Sequence, residues 1–127
     1  MLHTVLVMHQ PLASAFSRCA THVLGNAPAL TVFDIPADAD IDHWCSQLAD
    51  ALIRHPADGL LVLCDLYGAT PFNIACRAAD NARQAGKAVQ VLSGANLNMV
   101  LKSLTDPLHE LDSLAASVRQ GGIRGLR

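Results

Sequence analysis

Charge is scarce in this chain of 127 residues: Asp, Glu, Lys and Arg make up 16% of it, and the net charge is −2 at pH 7. No block of basic residues stands anywhere, which argues against nucleic acid or an anionic membrane as a partner. No basic segment precedes the first apolar run, and Val5–Met8 is too short for a secretion signal or a membrane span. A cytosolic protein without membrane insertion is therefore expected. Cysteine occurs four times (Cys19, Cys45, Cys64, Cys76) but never as a CxxC pair. We read these thiols as small buried residues and assign them neither metal nor disulfide. There is no P-loop and no evident magnesium site, so ATP is not expected as a direct phosphoryl donor and no cofactor is assigned. Repeats and low-complexity linkers are missing too, which leaves one domain over residues 1–127.

Apolar residues supply 51% of the chain, well above the range of disordered segments. They concentrate in Leu60-Leu61-Val62-Leu63-Cys64, a continuous run suited to a parallel strand covered on both faces. Asp65 follows as the strand leaves the sheet, and Gly68 loosens the turn. Thr70-Pro71 reads as a helix opening, with a hydroxyl cap and proline at the first helical position. The helix from Pro71 runs to about Gln84 through Ile74, Ala75, Ala78 and Ala82.

Leu2–Met8 reads as the first strand, ending at His9. Pro11 opens a helix with Leu12, Phe16, Cys19, Ala20 and Val23 at helical spacing, and Gly25 closes it. Leu30–Ile35 is a second strand, more polar because of Thr31 and Asp34. Asp40 caps a second helix with an inner face of Ile41, Trp44, Cys45, Leu48 and Leu52, ended by His55-Pro56. Ala88–Leu92 is the fourth strand. Ser93–Asn96 turns into a helix through Leu97, Val100, Leu101 and Leu104. Asp106-Pro107 starts a last helix, which Gly121-Gly122 breaks, leaving a tail from Ile123 to Arg127.

Alternating strands and helices predict an α/β fold, an open doubly wound sheet with helices on both faces. The first and third strands are the most apolar and belong in the centre, which gives the parallel order 2-1-3-4. The chain reverses its winding between strands one and three, and ligands in such sheets bind at the carboxyl ends of the strands at that reversal. His9 and Asp65 stand there. A neutral histidine is a competent nucleophile, and a carboxylate on one ring nitrogen fixes its tautomer and leaves the other nitrogen to react. Next to them, the N–H groups from Gly68, Ala69, Thr70, Pro71 and Phe72 onward, at a helix N-terminus, suit an anion (Pro71 has no N–H of its own). The combination fits a group that accepts a phosphoryl and passes it on.

Each residue also has a plainer reading. Asp65 suits a turn cap, Thr70 and Asn96 suit helix caps, and Trp44 suits core packing. His3, His22, His43, His55 and His109 read as surface or half-buried side chains without partners.

Three motifs, Val5-Leu6-Val7-Met8-His9, Asp65–Asn73 and Ser93-Gly94-Ala95-Asn96-Leu97-Asn98-Met99, resemble the enzyme IIA domain of the mannose class of the bacterial phosphoenolpyruvate:sugar phosphotransferase system. The resemblance covers essentially the whole chain. It implies a phosphohistidine at His9, formed from the phosphocarrier HPr and passed to a histidine of enzyme IIB, with Asp65 bonded to the His9 ring and Thr70 in place of a serine in the phosphoryl pocket. It also implies a homodimer whose C-terminal tails exchange as antiparallel edge strands. Gln10 and Ala69 stand where the family has glycine, and Asn98 where it has proline. Gln10 places a bulky polar group beside the pocket, where Asn96 is a further candidate.

Three other functions compete. A receiver domain phosphorylated on Asp65 would need an acidic pair after the first strand, where His9-Gln10 stands instead. A regulatory module phosphorylated by HPr without any sugar permease would use the same residues. A dihydroxyacetone-kinase phosphotransfer subunit uses a similar domain, and the full-length match to the Asp65–Asn73 motif favours the mannose class over it.

Overall fold

Buried β-branched and leucine-rich segments make the centre of the molecule, described for Met1–Arg127 in a computed structural model. The elements run β1 (Leu2–His9), α1 (Leu12–Leu24), β2 (Leu30–Ile35), α2 (Ile41–Arg54), β3 (Gly59–Cys64), α3 (Thr70–Gln84), β4 (Ala88–Leu92), α4 (Leu97–Thr105) and α5 (Leu111–Arg124). All strand pairs are parallel and the order is β2-β1-β3-β4, as the polarity of the outer strands predicts. Every residue of β3 is buried, because helices cover both of its faces.

Side chains alternate between two cores. Val5, Val7, Leu60 and Val62 face α2 and α3, meeting Leu48, Leu52, Ile74 and Ala78. Leu6, Met8, Leu61 and Leu63 face α1, α4 and α5, meeting Ala20, Val100, Leu114 and Val118. The register sets Val7 opposite Cys64 and His9 opposite Ile35. The first residues beyond β1 and β3 therefore emerge side by side at one end of the sheet.

Several local expectations are corrected. Helix α1 buries Ala13 and Ala20 and packs Phe16 against the core, while Leu12, Cys19 and Val23 are exposed; the two small side chains let its backbone settle on the sheet. Ile41 is exposed as well, standing at the first position of α2, before the helix meets the core. Helix α5 starts at Leu111, because Glu110 caps it by accepting the N–H groups of Asp112 and Ser113 at 3.0 and 2.8 Å. Asp106 instead braces the linker, bonding Leu108 N–H and the Ser117 hydroxyl.

Gly121-Gly122 does not break α5, which runs on to Arg124. A Cβ on Gly122 would stand 2.6 Å from Cγ of Met99, so this glycine serves the close approach of α4 and α5. Ile123 and Arg124 thus belong to α5 and not to a separate tail, and the sheet formed within the one chain has four strands.

His3 and His55 have partners, contrary to expectation. Their rings stack with centroids 4.1 Å apart. His3 Nε2 pairs with Thr31 Oγ1 at 2.9 Å, and His55 Nδ1 accepts the Ala57 N–H at 3.1 Å. Burial and, second, the neighbouring His55 hold His3 below its ordinary value near 6.5. The unfolded chain then binds a proton that the folded chain resists, so stability is lost as pH falls below about 6.5. We expect the urea midpoint to drop between pH 7 and pH 5, and His3→Gln to flatten that slope. An unchanged slope in the variant would assign the pH dependence to other groups.

Candidate functional site

His9 is the last residue of β1, and Asp65 follows β3 directly. Adjacent parallel strands bring the two together: His9 Nδ1 lies 2.7 Å from Asp65 Oδ2, and the His9 backbone N–H donates to the same oxygen at 3.1 Å. One carboxylate oxygen thus fixes both backbone and ring. The proton sits on Nδ1, where it faces an acceptor, and the lone pair of Nε2 is left free. The His9 side chain is 48% exposed and that of Asp65 11%. Asp65 Oδ1 is buried without any partner, so the carboxylate is poorly solvated and depends on the ring beside it.

The turn that follows is built for close approach. Gly68 adopts φ 79°, a left-handed conformation that favours glycine. Asn73 Nδ2 donates to the Gly68 carbonyl at 3.3 Å and pins the turn to the first coil of α3. Tyr67 and Phe72 rings lie 5.0 Å apart. From the neighbouring turn, the Ala95 N–H donates to the Cys64 carbonyl at 3.0 Å, which holds Ser93–Asn96 against the end of β3.

Thr70 is not the helix cap. The capping position is Ala69, which has no side-chain acceptor, and Thr70 is the exposed first residue of α3 with Pro71 next to it. Position 69 therefore leaves the N–H groups of Thr70 and Phe72 without an intrahelical partner. The other helices starting at this end of the sheet are filled. Asp34 accepts from Ser14 in α1, Asp40 from His43 in α2, and Asn96 from Met99 in α4. Only α3, which starts beside His9 and Asp65, has no side chain accepting an N–H at its start, and this leaves room there for an outside anion.

Gln10 is exposed, and its backbone N–H donates to the Ile35 carbonyl at 3.0 Å. Asn96 caps α4 through its amide oxygen and donates its amide nitrogen to the Gly122 carbonyl at 3.2 Å, so one half of the amide starts α4 and the other ties it to α5. The sequence reading did not single out Asp34; a carboxylate near the end of the strand beside β1 was the available signal. Leu12, Leu66 and Tyr67 are exposed apolar side chains on the segments that follow His9 and Asp65. A cleft of about 270 Å³ adjoins the turn between Tyr67, Phe72, Val91, Leu92 and Arg119. A larger one of about 390 Å³ between α4 and α5 is lined by none of the residues around His9. No three His, Cys, Asp or Glu side chains converge as metal ligands, and no helix is long and apolar enough to cross a membrane.

An open site of this kind suits transfer to and from another macromolecule: a nucleophilic nitrogen on the surface, a carboxylate behind it and an unfilled anion seat alongside. No curated protein matches the chain. Among solved structures it is similar to phosphotransferase system component EIIA from Streptococcus agalactiae, at 22% identity and TM-score 0.89, over 100% of this chain and 96% of that one. It is similar to the mannose/sorbose-specific IIA subunit of the phosphotransferase system from Enterococcus faecalis, at 26% identity and TM-score 0.87, over 98% and 92%. A sigma-54 interaction domain protein from Enterococcus faecalis shares the fold at 16% identity and TM-score 0.79, over 99% and 93%. The family model of the phosphotransferase system fructose IIA component, EIIA-man, matches residues 3–119, and the chain belongs to that family.

Proposed function

We propose that the chain accepts a phosphoryl group from phospho-HPr on Nε2 of His9 and passes it to a histidine of enzyme IIB. The observation that carries this reading is the His9–Asp65 pair set beside the one helix N-terminus at that end of the sheet that no side chain fills. Nε2 attacks phosphorus, the bond between phosphorus and the donor breaks, and the Nδ1 proton stays against Asp65 Oδ2. The carboxylate stabilises the positive ring that results. The N–H groups of Thr70 and Phe72 receive the phosphoryl oxygens, with the Thr70 hydroxyl at hand and the Gly68–Ala69 turn shaping the seat.

The carrier would work in the cytoplasm, as a homodimer, with sugar uptake as the purpose, in line with the mannose/sorbose-specific relative. The exposed side chains of Leu12, Leu66 and Tyr67 would supply apolar contact area for both protein partners.

The test is intact-protein mass after incubation with phosphoenolpyruvate, enzyme I and HPr. One acid-labile phosphoryl group is expected on the wild type and none on His9→Ala. A wild type that stays unmodified with active donors would remove the carrier function. A modified His9→Ala would move the phosphoryl to another residue.

A further inference from the structure

Strand β2 supplies no atom to the site just described, yet its Asp34 stands one strand away, in register with Met8, the residue before His9. Its side chain reaches across into the first turn of α1. Oδ1 accepts the Ser14 N–H at 3.1 Å, and Oδ2 accepts the Ser14 hydroxyl. The next residue on β2, Ile35, takes the Gln10 N–H on its carbonyl. Both ends of the short link between His9 and α1 are thereby tied to β2.

Helix α1 begins three residues after His9, so its positive end lies at the same end of the sheet as that of α3, across the sheet from it. Left empty, it would compete for a dianionic phosphoryl group and would add to the positive potential holding it. A carrier must also release what it accepts, and that requires the loaded and empty states to lie close in free energy.

We propose that Asp34 is a positioning residue for phosphoryl transfer: its carboxylate fills the N-terminus of α1, so that the phosphoryl group on His9 lodges on the open start of α3 and remains easy to pass on. This role rests on the phosphocarrier reading above.

Asp34→Asn separates charge from geometry. The asparagine oxygen still accepts the Ser14 N–H and its amide can donate to Ser14 Oγ, so the cap persists while the charge is gone. Two readings are taken with HPr as the partner. The first is the equilibrium partition of phosphoryl between HPr and the chain, expected to move about threefold toward the chain in Asp34→Asn. The second is the set of backbone amide resonances that shift on phosphorylation. Thr70 and Phe72 are expected to shift in the wild type, joined by Leu12 and Ala13 in the variant. Should Asp34→Asn lose its fold by circular dichroism, Asp34→Ser, a shorter neutral acceptor, gives the same two readings.

The role is overturned if the neutral variant matches the wild type in both. It is overturned equally if Ser14→Ala, which keeps the charge and loses only the hydroxyl contact, moves the partition as far. A wild-type chain that takes no phosphoryl from active HPr overturns the carrier reading itself, and this role with it.

Discussion

Asp65→Asn is expected to slow phosphorylation of His9 on the order of 10³-fold while the chain stays folded. The size of the effect follows from how the present carboxylate is used. One oxygen accepts both the Nδ1 proton and the His9 backbone N–H, and the other is buried without a partner. An asparagine has two ways to sit there. With its oxygen toward His9, the amide nitrogen is buried with no acceptor, at a cost of about 1–3 kcal/mol. With its nitrogen toward His9, it opposes the backbone N–H and drives the ring proton onto Nε2, which removes the nucleophilic lone pair. In both arrangements the negative charge that would stabilise the phosphorylated ring is lost. Rapid-quench phosphorylation by HPr, with circular dichroism as the control for fold, measures this. A rate within about threefold of wild type would mean that the carboxylate does not orient the ring.

Leu63→Ala should give the largest loss of stability, about 3–5 kcal/mol of the roughly 5–15 available to a domain of this kind. Leu63 is fully buried on the all-buried strand β3, opposite Leu6 in the register. Helices press on that face of the sheet, and the interior is too densely packed to collapse into the space left by three carbons and their hydrogens. The urea midpoint reports the effect, and a loss under about 1 kcal/mol would mean the site relaxes freely. Two residues later the chain reaches Asp65, so any loosening of β3 should also show in the phosphorylation rate.

The sheet was legible because burial on two faces demands an unbroken apolar strand, and Leu60–Cys64 is such a run. The greater polarity of Leu30–Ile35 and Ala88–Leu92 marked them as outer strands. Topology then brought His9 and Asp65 to one place before any distance was known. What could not be read depended on contacts between distant segments. Helical spacing named Leu12, Phe16, Cys19, Ala20 and Val23 as the inner face of α1; packing kept Phe16 and Ala20, added Ala13 and left Leu12, Cys19 and Val23 exposed. Gly121-Gly122 carries the local signature of a helix stop, whereas the constraint at Gly122 is Met99 on a neighbouring helix. The hydroxyl of Thr70 suggested a cap, but the chain enters α3 one residue earlier, at Ala69. Capping of α1 by Asp34 joins residues 20 positions apart, and nothing in the sequence around Pro11 announces it.

Position 69 also sets a limit on how this lineage can drift. Serine, threonine, aspartate or asparagine there would cap α3 and add about 0.5–2 kcal/mol of stability over alanine. Selection for thermal robustness alone would find that gain, since helix-cap improvement is among the commonest stabilising changes. On the function proposed above, each such replacement would also place the chain's own oxygen in the seat of the incoming phosphoryl. Programmes that optimise this scaffold for heat tolerance should therefore leave residue 69 untouched: on the proposed function, the more stable helix and the working carrier are different molecules.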